Sequence, residues 1–213
     1  MSEPIKIPGR VLRAMLLMAA NADIRYYLNS VKVEVREDAV YLAATNGHLL
    51  GAYRLEREEE VTLRAEFIVP RALLELVQRA KTVRLSYDPD STMISVNGDG
   101  PITSSCTAVE GKFPEWRNVF PEEVTPELAD FNPQYITMFE KVAVALKGKS
   151  KRRWGGSFAT ITQNGNRASL VTIPHDDSFI GLLMPWRVDK KLDKSPAWVV
   201  PPVKKQAKEK EAA

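Results

Sequence analysis

Few residues in this 213-residue sequence could do acid–base or nucleophilic chemistry. The histidines are His48 and His175, and the sole cysteine is Cys106, with no histidine near it in sequence. No Gly-rich phosphate loop, CxxC pair or HExxH run accompanies them. His175-Asp176-Asp177 could hold a cation through its oxygens, yet it falls in a turn between two strand-like runs, where aspartates are ordinary backbone chemistry. The expectation is a protein that is not an enzyme and needs no cofactor or metal.

The chemistry of recognition is better represented. Lys147, Lys149, Lys151, Arg152 and Arg153 crowd into seven residues beside Gly148 and ahead of Trp154-Gly155-Gly156. Cations at a helix C-terminus complement its dipole, and a glycine-flanked basic loop also suits phosphates. A solvated loop and a phosphate contact both fit. Arg10, Arg13, Arg71, Arg79 and Lys81 give two helical segments a basic side. Arg25-Tyr26-Tyr27-Leu28-Asn29 offers two π-faces and a cation for stacking on bases. It reads equally as one tyrosine in the core and one at its edge. Three other segments share an apolar, largely proline- and aromatic-bearing character outside any clean strand. They are Gly47-His48-Leu49-Leu50, Phe113-Pro114-Glu115-Trp116-Arg117-Asn118-Val119 and Leu183-Met184-Pro185-Trp186-Arg187. Brought together they would make a concave apolar pocket rimmed by arginine, suited to a short hydrophobic peptide.

Three helices and nine strand-like runs must position these groups. Helical periodicity marks Gly9 to Asn21, Pro70 to Lys81 and Asn132 to Leu146, the last opened by an Asn-Pro pair suited to N-cap and N1. After the first helix come Val31–Val35, Ala39–Ala44 and Leu49–Leu55. After the second come Thr82–Tyr87, Met93–Val96 and Ile102–Val109, and after the third Ser157–Thr162, Ala168–Ile173 and Phe179–Met184. Each helix also follows a short apolar segment. The pattern is strand, helix, three strands, repeated three times at roughly sixty-residue spacing.

Composition sets the remaining bounds. With 44% apolar residues the chain can bury a core. No apolar run suits a bilayer crossing, the N-terminus has no signal-peptide pattern, and one cysteine forms no internal disulfide, which together suggest a cytoplasmic protein. The formal charge of +3 is uneven: from Asp189 onward there are seven lysines and four acids, leaving 23 basic and 23 acidic residues in the body. That Lys- and Pro-rich tail reads as disordered, with an apolar island at Ala197-Trp198-Val199-Val200 that is either a recognition motif or residual stickiness. By position it could fold back into the pocket of its own or a neighbouring chain.

At these same residues the chain resembles the bacterial beta sliding clamp family, the processivity ring of DNA polymerase III. Arg25–Asn29 resembles its RYYLN stretch, and Ala44-Thr45-Asn46-Gly47-His48-Leu49-Leu50 resembles ATDGHRL. Gly111-Lys112-Phe113 through Val119 resembles G(R/E)FPDYRRV. Phe131-Asn132-Pro133-Gln134-Tyr135 resembles a FN-x-x-Y helix start, and Met184-Pro185-Trp186-Arg187-Val188 resembles a terminal MPMRL. The five stretches keep the family's order over about residues 5–188.

The resemblance implies an α+β DNA clamp fold of repeated βαβββ units, three in this chain, with helices lining a central channel and sheets outside. Residues 1–115 would correspond to the family's middle domain with two units, 116–188 to the second half of its last domain, and 189–213 to the tail. It implies a DNA replication processivity factor that encircles double-stranded DNA and tethers DNA polymerase and clamp loader through short hydrophobic motifs. The alternative is a non-encircling clamp-fold protein that binds or sequesters such motifs. The implied peptide pocket is Leu28, Thr45, Gly47, His48, Leu49, Leu50, Pro114, Asn118, Val119, Leu182, Met184, Pro185, Trp186 and Arg187. The implied DNA contacts are Arg25, Tyr26 and Tyr27, joined by the cations Arg13, Arg79, Lys81, Lys147, Lys149, Lys151, Arg152 and Arg153.

The chain also departs from the family. Asn46, Leu49 and Asn118 stand where the family carries charged residues, so the pocket rim is expected to be more apolar. Family rings close with twelve units. Three units per chain therefore predict a homo-oligomer, with a tetrameric ring favoured.

Overall fold

The computed structural model describes residues 3–101, 103–147 and 158–186. The first two units are built as the periodicity predicts. β1 (Ile5–Pro8) leads into α1 (Gly9–Met18), followed by β2 (Ser30–Val35), β3 (Ala39–Thr45) and β4 (Leu49–Glu56). β5 (Ala65–Pro70) leads into α2 (Arg71–Val77), followed by β6 (Thr82–Asp88), β7 (Met93–Asn97) and β8 (Thr103–Thr107). Prolines 8 and 70 close the leading strands just before each helix, where a fixed φ and a missing N–H cost nothing. The units exchange their leading strands: β1 pairs with β6 and β5 with β2, both antiparallel. The exchange makes the two units one body.

Both helices end earlier than their periodicity suggests. Ala19 turns to ψ 145°, so its successor Ala20 donates to the Leu28 carbonyl instead of continuing α1. Arg71 then caps the freed end, its guanidinium donating to the carbonyls of Leu16 (2.6 Å) and Ala19 (3.2 Å). Arg13 reaches across to cap the Gln78 carbonyl at the end of α2, at 2.9 Å. Between these ends Gly9 donates to Lys81 O at 2.7 Å, so close that a Cβ on Gly9 would lie 1.8 Å from Ala80 O. Gly9→Ala is accordingly expected to cost about 1–3 kcal/mol, lowering the thermal midpoint by about 2–4 °C per kcal/mol in a calorimetric melt.

The third unit comprises α3 (Pro133–Lys147), β9 (Thr160–Thr162), β10 (Ser169–Ile173) and β11 (Asp176–Leu183). Asn132 caps α3, its Oδ1 accepting from Gln134 N at 2.9 Å. One expectation fails here: no strand precedes α3 among the described residues, because residues 120–132 run as an irregular connection. The turn after β10 is also tighter than the sequence suggests. His175 sits at φ +63° and β11 already begins at Asp176.

This unit joins the first through β4 and β11, which pair antiparallel with Leu50 opposite Leu182 and Gly51 opposite Gly181. The result is a seven-stranded sheet in the order β5-β2-β3-β4-β11-β10-β9, beside a four-stranded sheet β1-β6-β7-β8. The glycine pair is a packing requirement. A Cβ at Gly181 would sit 2.5 Å from the Phe139 ring, and one at Gly51 would sit 2.6 Å from Met18 Cγ. Their absence lets α1 and α3 settle together on the sheet.

Side chains alternate accordingly. Val31, Val33, Val35, Leu42, Leu49, Phe179 and Leu183 point into the main core beneath the helices, with Met15, Met18, Leu74 and Phe139. Ala43, Leu50, Ala52, Ile68 and Leu182 point the other way, into a second cluster with Phe113 and Trp116. The four-stranded sheet buries one face only, as the alternating burial of β6 and β7 shows. The seven-stranded sheet buries part of both, because residues 109–120 lie across its outer face as a strap.

Candidate functional site

Where the strap meets the β4–β11 junction, the surface encloses a cavity of about 220 Å³. Its walls are Leu28, Thr45, Gly47, His48, Leu49, Leu50, Pro114, Val119, Leu182 and Met184, together with Arg25, Tyr27 and Trp116. Three segments distant in sequence thus share one apolar hollow.

Each wall has a local cause. The β3–β4 turn is fixed by its own side chains: Asn46 Oδ1 accepts from His48 N (2.9 Å) and Leu49 N (3.0 Å). Thr45 Oγ1 donates to Leu49 O at 2.7 Å and accepts from Gly47 N at 3.0 Å. Gly47 takes φ +91°, where a side chain is strained. Asn46 therefore supplies the acceptor this turn needs without a charge, and Leu49, 2% exposed, belongs to the core as much as to the hollow. His48 stacks on Tyr135 of α3 at 5.3 Å and 18°. The facing wall is β11, whose continuation is held by Met184 N donating to His48 O at 2.9 Å.

The strap makes the third wall, and its anchor is electrostatic. Glu34, 3% exposed on the outer face of β2, accepts from Trp116 Nε1 at 2.8 Å and from the Arg117 guanidinium at 2.6 Å. Lys32 (3.5 Å) and Arg36 (2.9 Å) complete its shell. Burial pushes the Glu34 carboxyl up, but hydrogen bonds from Trp116 and Arg117 and the charges of Arg117 and Lys32 outweigh it and hold the group below its ordinary value.

Not every predicted pocket residue reaches the hollow. Asn118 turns to a separate shallow depression with Phe120 and Arg167. Pro185 and Trp186 lie beyond the rim; Trp186 is 56% exposed and its backbone N–H donates to Asp130 O at 2.6 Å. Arg187 and Trp198 lie outside the described residues. Conversely, Arg25 and Tyr27, assigned from sequence to DNA, line the hollow, and Trp116 was missed. Its position between Pro114 and Val119 in the predicted segment was the available signal.

The predicted DNA contacts divide in the same way. Arg25 is held by Asp23 through a bidentate pair (3.0 and 2.8 Å) and reaches Asn46 O at 3.3 Å. Hydrogen bonds from Arg25 in turn lower the Asp23 carboxyl to about 2. Because the folded value lies below the unfolded one, this pair supports the loop above pH 4 and is lost only as pH falls toward 2. An NMR titration of the Asp23 carboxyl is expected to show a midpoint near 2; an ordinary value of about 3.9 would mean Arg25 is not held. Tyr26 packs edge-on against Tyr27 and stands 59% exposed in solvent. Arg13 and Lys147 are engaged, the first with Gln78 O, the second with His175 O and Asp176 (3.6 Å). Of the predicted cations Arg79 and Lys81 are exposed beside α2; Arg10 on α1 and Lys141 on α3, outside that prediction, are exposed too. Lys149, Lys151, Arg152 and Arg153 lie outside the described residues. Among those described, no group of three or more His, Cys, Asp and Glu side chains could hold a metal, and no helix is long and apolar enough to cross a membrane.

Exchanged leading strands, helices on one side of continuous sheets, and a hollow at a sheet junction define a sliding-clamp fold. Solved sliding clamps superimpose accordingly. The DNA polymerase sliding clamp from Pseudomonas aeruginosa matches with a TM-score of 0.63 at 19% identity, covering 87% of this chain and 66% of that one. Caulobacter crescentus pol III beta matches with a TM-score of 0.64 at 18% identity, covering 88% and 67%. The family model for the DNA polymerase III beta subunit, central domain, matches residues 6–115, and the chain belongs to that family. Curated relatives include the beta sliding clamps of Pseudomonas aeruginosa (34% identity over 138 residues, 61% of this chain and 36% of that protein) and Haemophilus influenzae (27% over 120 residues, 54% and 32%). The chain spans about a third of the length of these relatives.

Proposed function

We propose that this protein is a compact, cytoplasmic sliding clamp, which encircles duplex DNA and tethers a polymerase or other replication factors through the hollow between β4, β11 and the strap. The observation that carries this reading is the register of β4 and β11, which sets Leu50 beside Leu182 and gives three predicted segments one apolar cavity. A cavity of about 220 Å³ suits one or two apolar side chains of an extended peptide, with the backbone left at the rim. Loader and polymerase would engage it through short hydrophobic motifs. The exposed cations Arg10, Arg79, Lys81 and Lys141 support a phosphate-facing helix side.

Ring closure is the second part of the reading. Among the described residues, β8 and β9 are terminal strands of their sheets. The first strands after the helices in the other units, β2 and β6, each take a leading strand on the side that β9 leaves open. Four chains supply the twelve units of a family ring, and native mass spectrometry is expected to give four times 23.9 kDa, about 96 kDa. A sharp mass at one chain removes the ring. The alternative, a clamp-fold protein that captures clamp-binding peptides without encircling DNA, is supported by the same hollow and by the commitment of Arg13, Arg25 and Lys147 to protein partners. The two readings part on whether the protein is held by closed DNA circles.

A further inference from the structure

We propose that Glu34 is the positioning residue of the hollow: its buried carboxylate pins the strap that carries Pro114, Trp116 and Val119. The inference rests on the reading of the hollow as a peptide site and adds a residue that touches no peptide.

β2 explains why a carboxylate here is not a packing choice. Val31, Val33 and Val35 supply its core face, while Ser30, Lys32 and Glu34 face outward and are buried all the same. A buried anion is tolerated only with partners, and the strap that buries Glu34 brings two of them, in addition to Lys32 and Arg36. Two successive strap residues serve it, one on each oxygen: Trp116 through its indole N–H and Arg117 through its guanidinium. Arg117 also lies over the Trp116 ring at 3.9 Å and the Tyr41 ring at 4.8 Å, closing the indole between cation and sheet. The indole thus has its N–H on Glu34 while its ring lines the hollow.

Phe113 and Trp116 pack the strap onto the sheet, and voids lie to either side of it. On its far side lies an open cleft of about 430 Å³ bordered by Lys32, Glu66, Glu110, Lys112, Phe113 and Glu115. Residues 110–115 therefore separate two voids, with Phe113 facing the cleft and Pro114 the hollow. Between those voids the Glu34 bonds add a directional anchor to the packing of Phe113 and Trp116.

The test compares the full chain with Glu34→Ala, Glu34→Gln and Trp116→Phe. Three readouts are used: affinity for a fluorescein-tagged pentapeptide bearing two leucines and a phenylalanine, the rate of proteolytic cleavage within the strap, and the indole N–H signals in ¹⁵N spectra, with Trp116→Phe assigning its own. The Trp116 indole proton is expected downfield and slow to exchange. Glu34→Ala should return it to the exposed range, speed proteolytic cleavage of the strap, and weaken the peptide about tenfold through faster dissociation. Glu34→Gln keeps a carbonyl acceptor and shape, so it should retain the indole signal, fold if the alanine variant does not, and weaken the peptide about threefold. Trp116→Phe should add little on top of Glu34→Ala. An unchanged indole signal and strap cleavage in Glu34→Ala overturns the proposal. So does a released strap with peptide affinity unaltered. If the unmodified protein binds no peptide while Glu34→Ala frees the strap, the pocket reading falls and the anchoring of the strap stands.

Discussion

Replacing Met184 and Val119 together by aspartate is expected to weaken binding of a hydrophobic peptide about 100-fold or more. Both side chains line the hollow and are half exposed, 47% and 50%, so neither supports the fold. Burying an apolar side chain of this size on binding is worth about 1.5–3 kcal/mol, and each tenfold in affinity is 1.4 kcal/mol. Two such losses, with two carboxylates that must lose water, multiply to that figure. Fluorescence anisotropy with the tagged peptide measures it, and an unchanged thermal midpoint shows that the loss is local. An affinity reduced less than threefold would mean that peptides bind elsewhere.

The second large effect is expected at the junction of the first and third units. Phe139 is fully buried, meets Phe179 edge-on at 6.5 Å, and occupies the space a side chain at Gly181 would need. Phe139→Ala should cost about 3–5 kcal/mol, lowering the thermal midpoint by about 10 °C. The loss should be local in kind: hydrogen exchange should rise first in β11 and α3, while β1 to β8 stay protected. Gly181→Ala alone should also destabilise, because its Cβ meets the ring. Combined with Phe139→Leu it should cost less than the sum of the two single changes, since a smaller side chain makes room. Uniform loss of protection in every strand would show that the third unit is not a separable part of the fold.

Much of this was legible because local chemistry sets it. The Asn132-Pro133 pair marks the start of α3, and apolar alternation marks nearly every strand. The helix ends were not, since α1 stops where Ala20 finds Leu28 and Arg71 arrives from another unit. The pocket segments stood out as apolar residues outside strands, but their convergence depends on the pairing of Leu50 with Leu182, a contact across more than a hundred residues. Arg25 looked like a free cation beside two aromatic rings; the bidentate pair with Asp23 ties it into the loop. Glu34 was silent for a related reason. Alternation assigns it to the solvent face of β2, and only the strap, which has no periodicity of its own, turns that face into an interior.

Encirclement is a matter of topology, and DNA with and without ends distinguishes it. The protein is mixed with nicked circular plasmid, a bacterial clamp loader and ATP, then passed through a sizing column at high salt, before and after the plasmid is cut once. A closed ring predicts that the protein elutes with the circle and is released on linearisation, because it slides off the ends, while salt screens the contacts that would hold a surface-bound protein. Equal retention on circular and cut DNA, or none on either, would contradict encirclement and leave the peptide-capturing role.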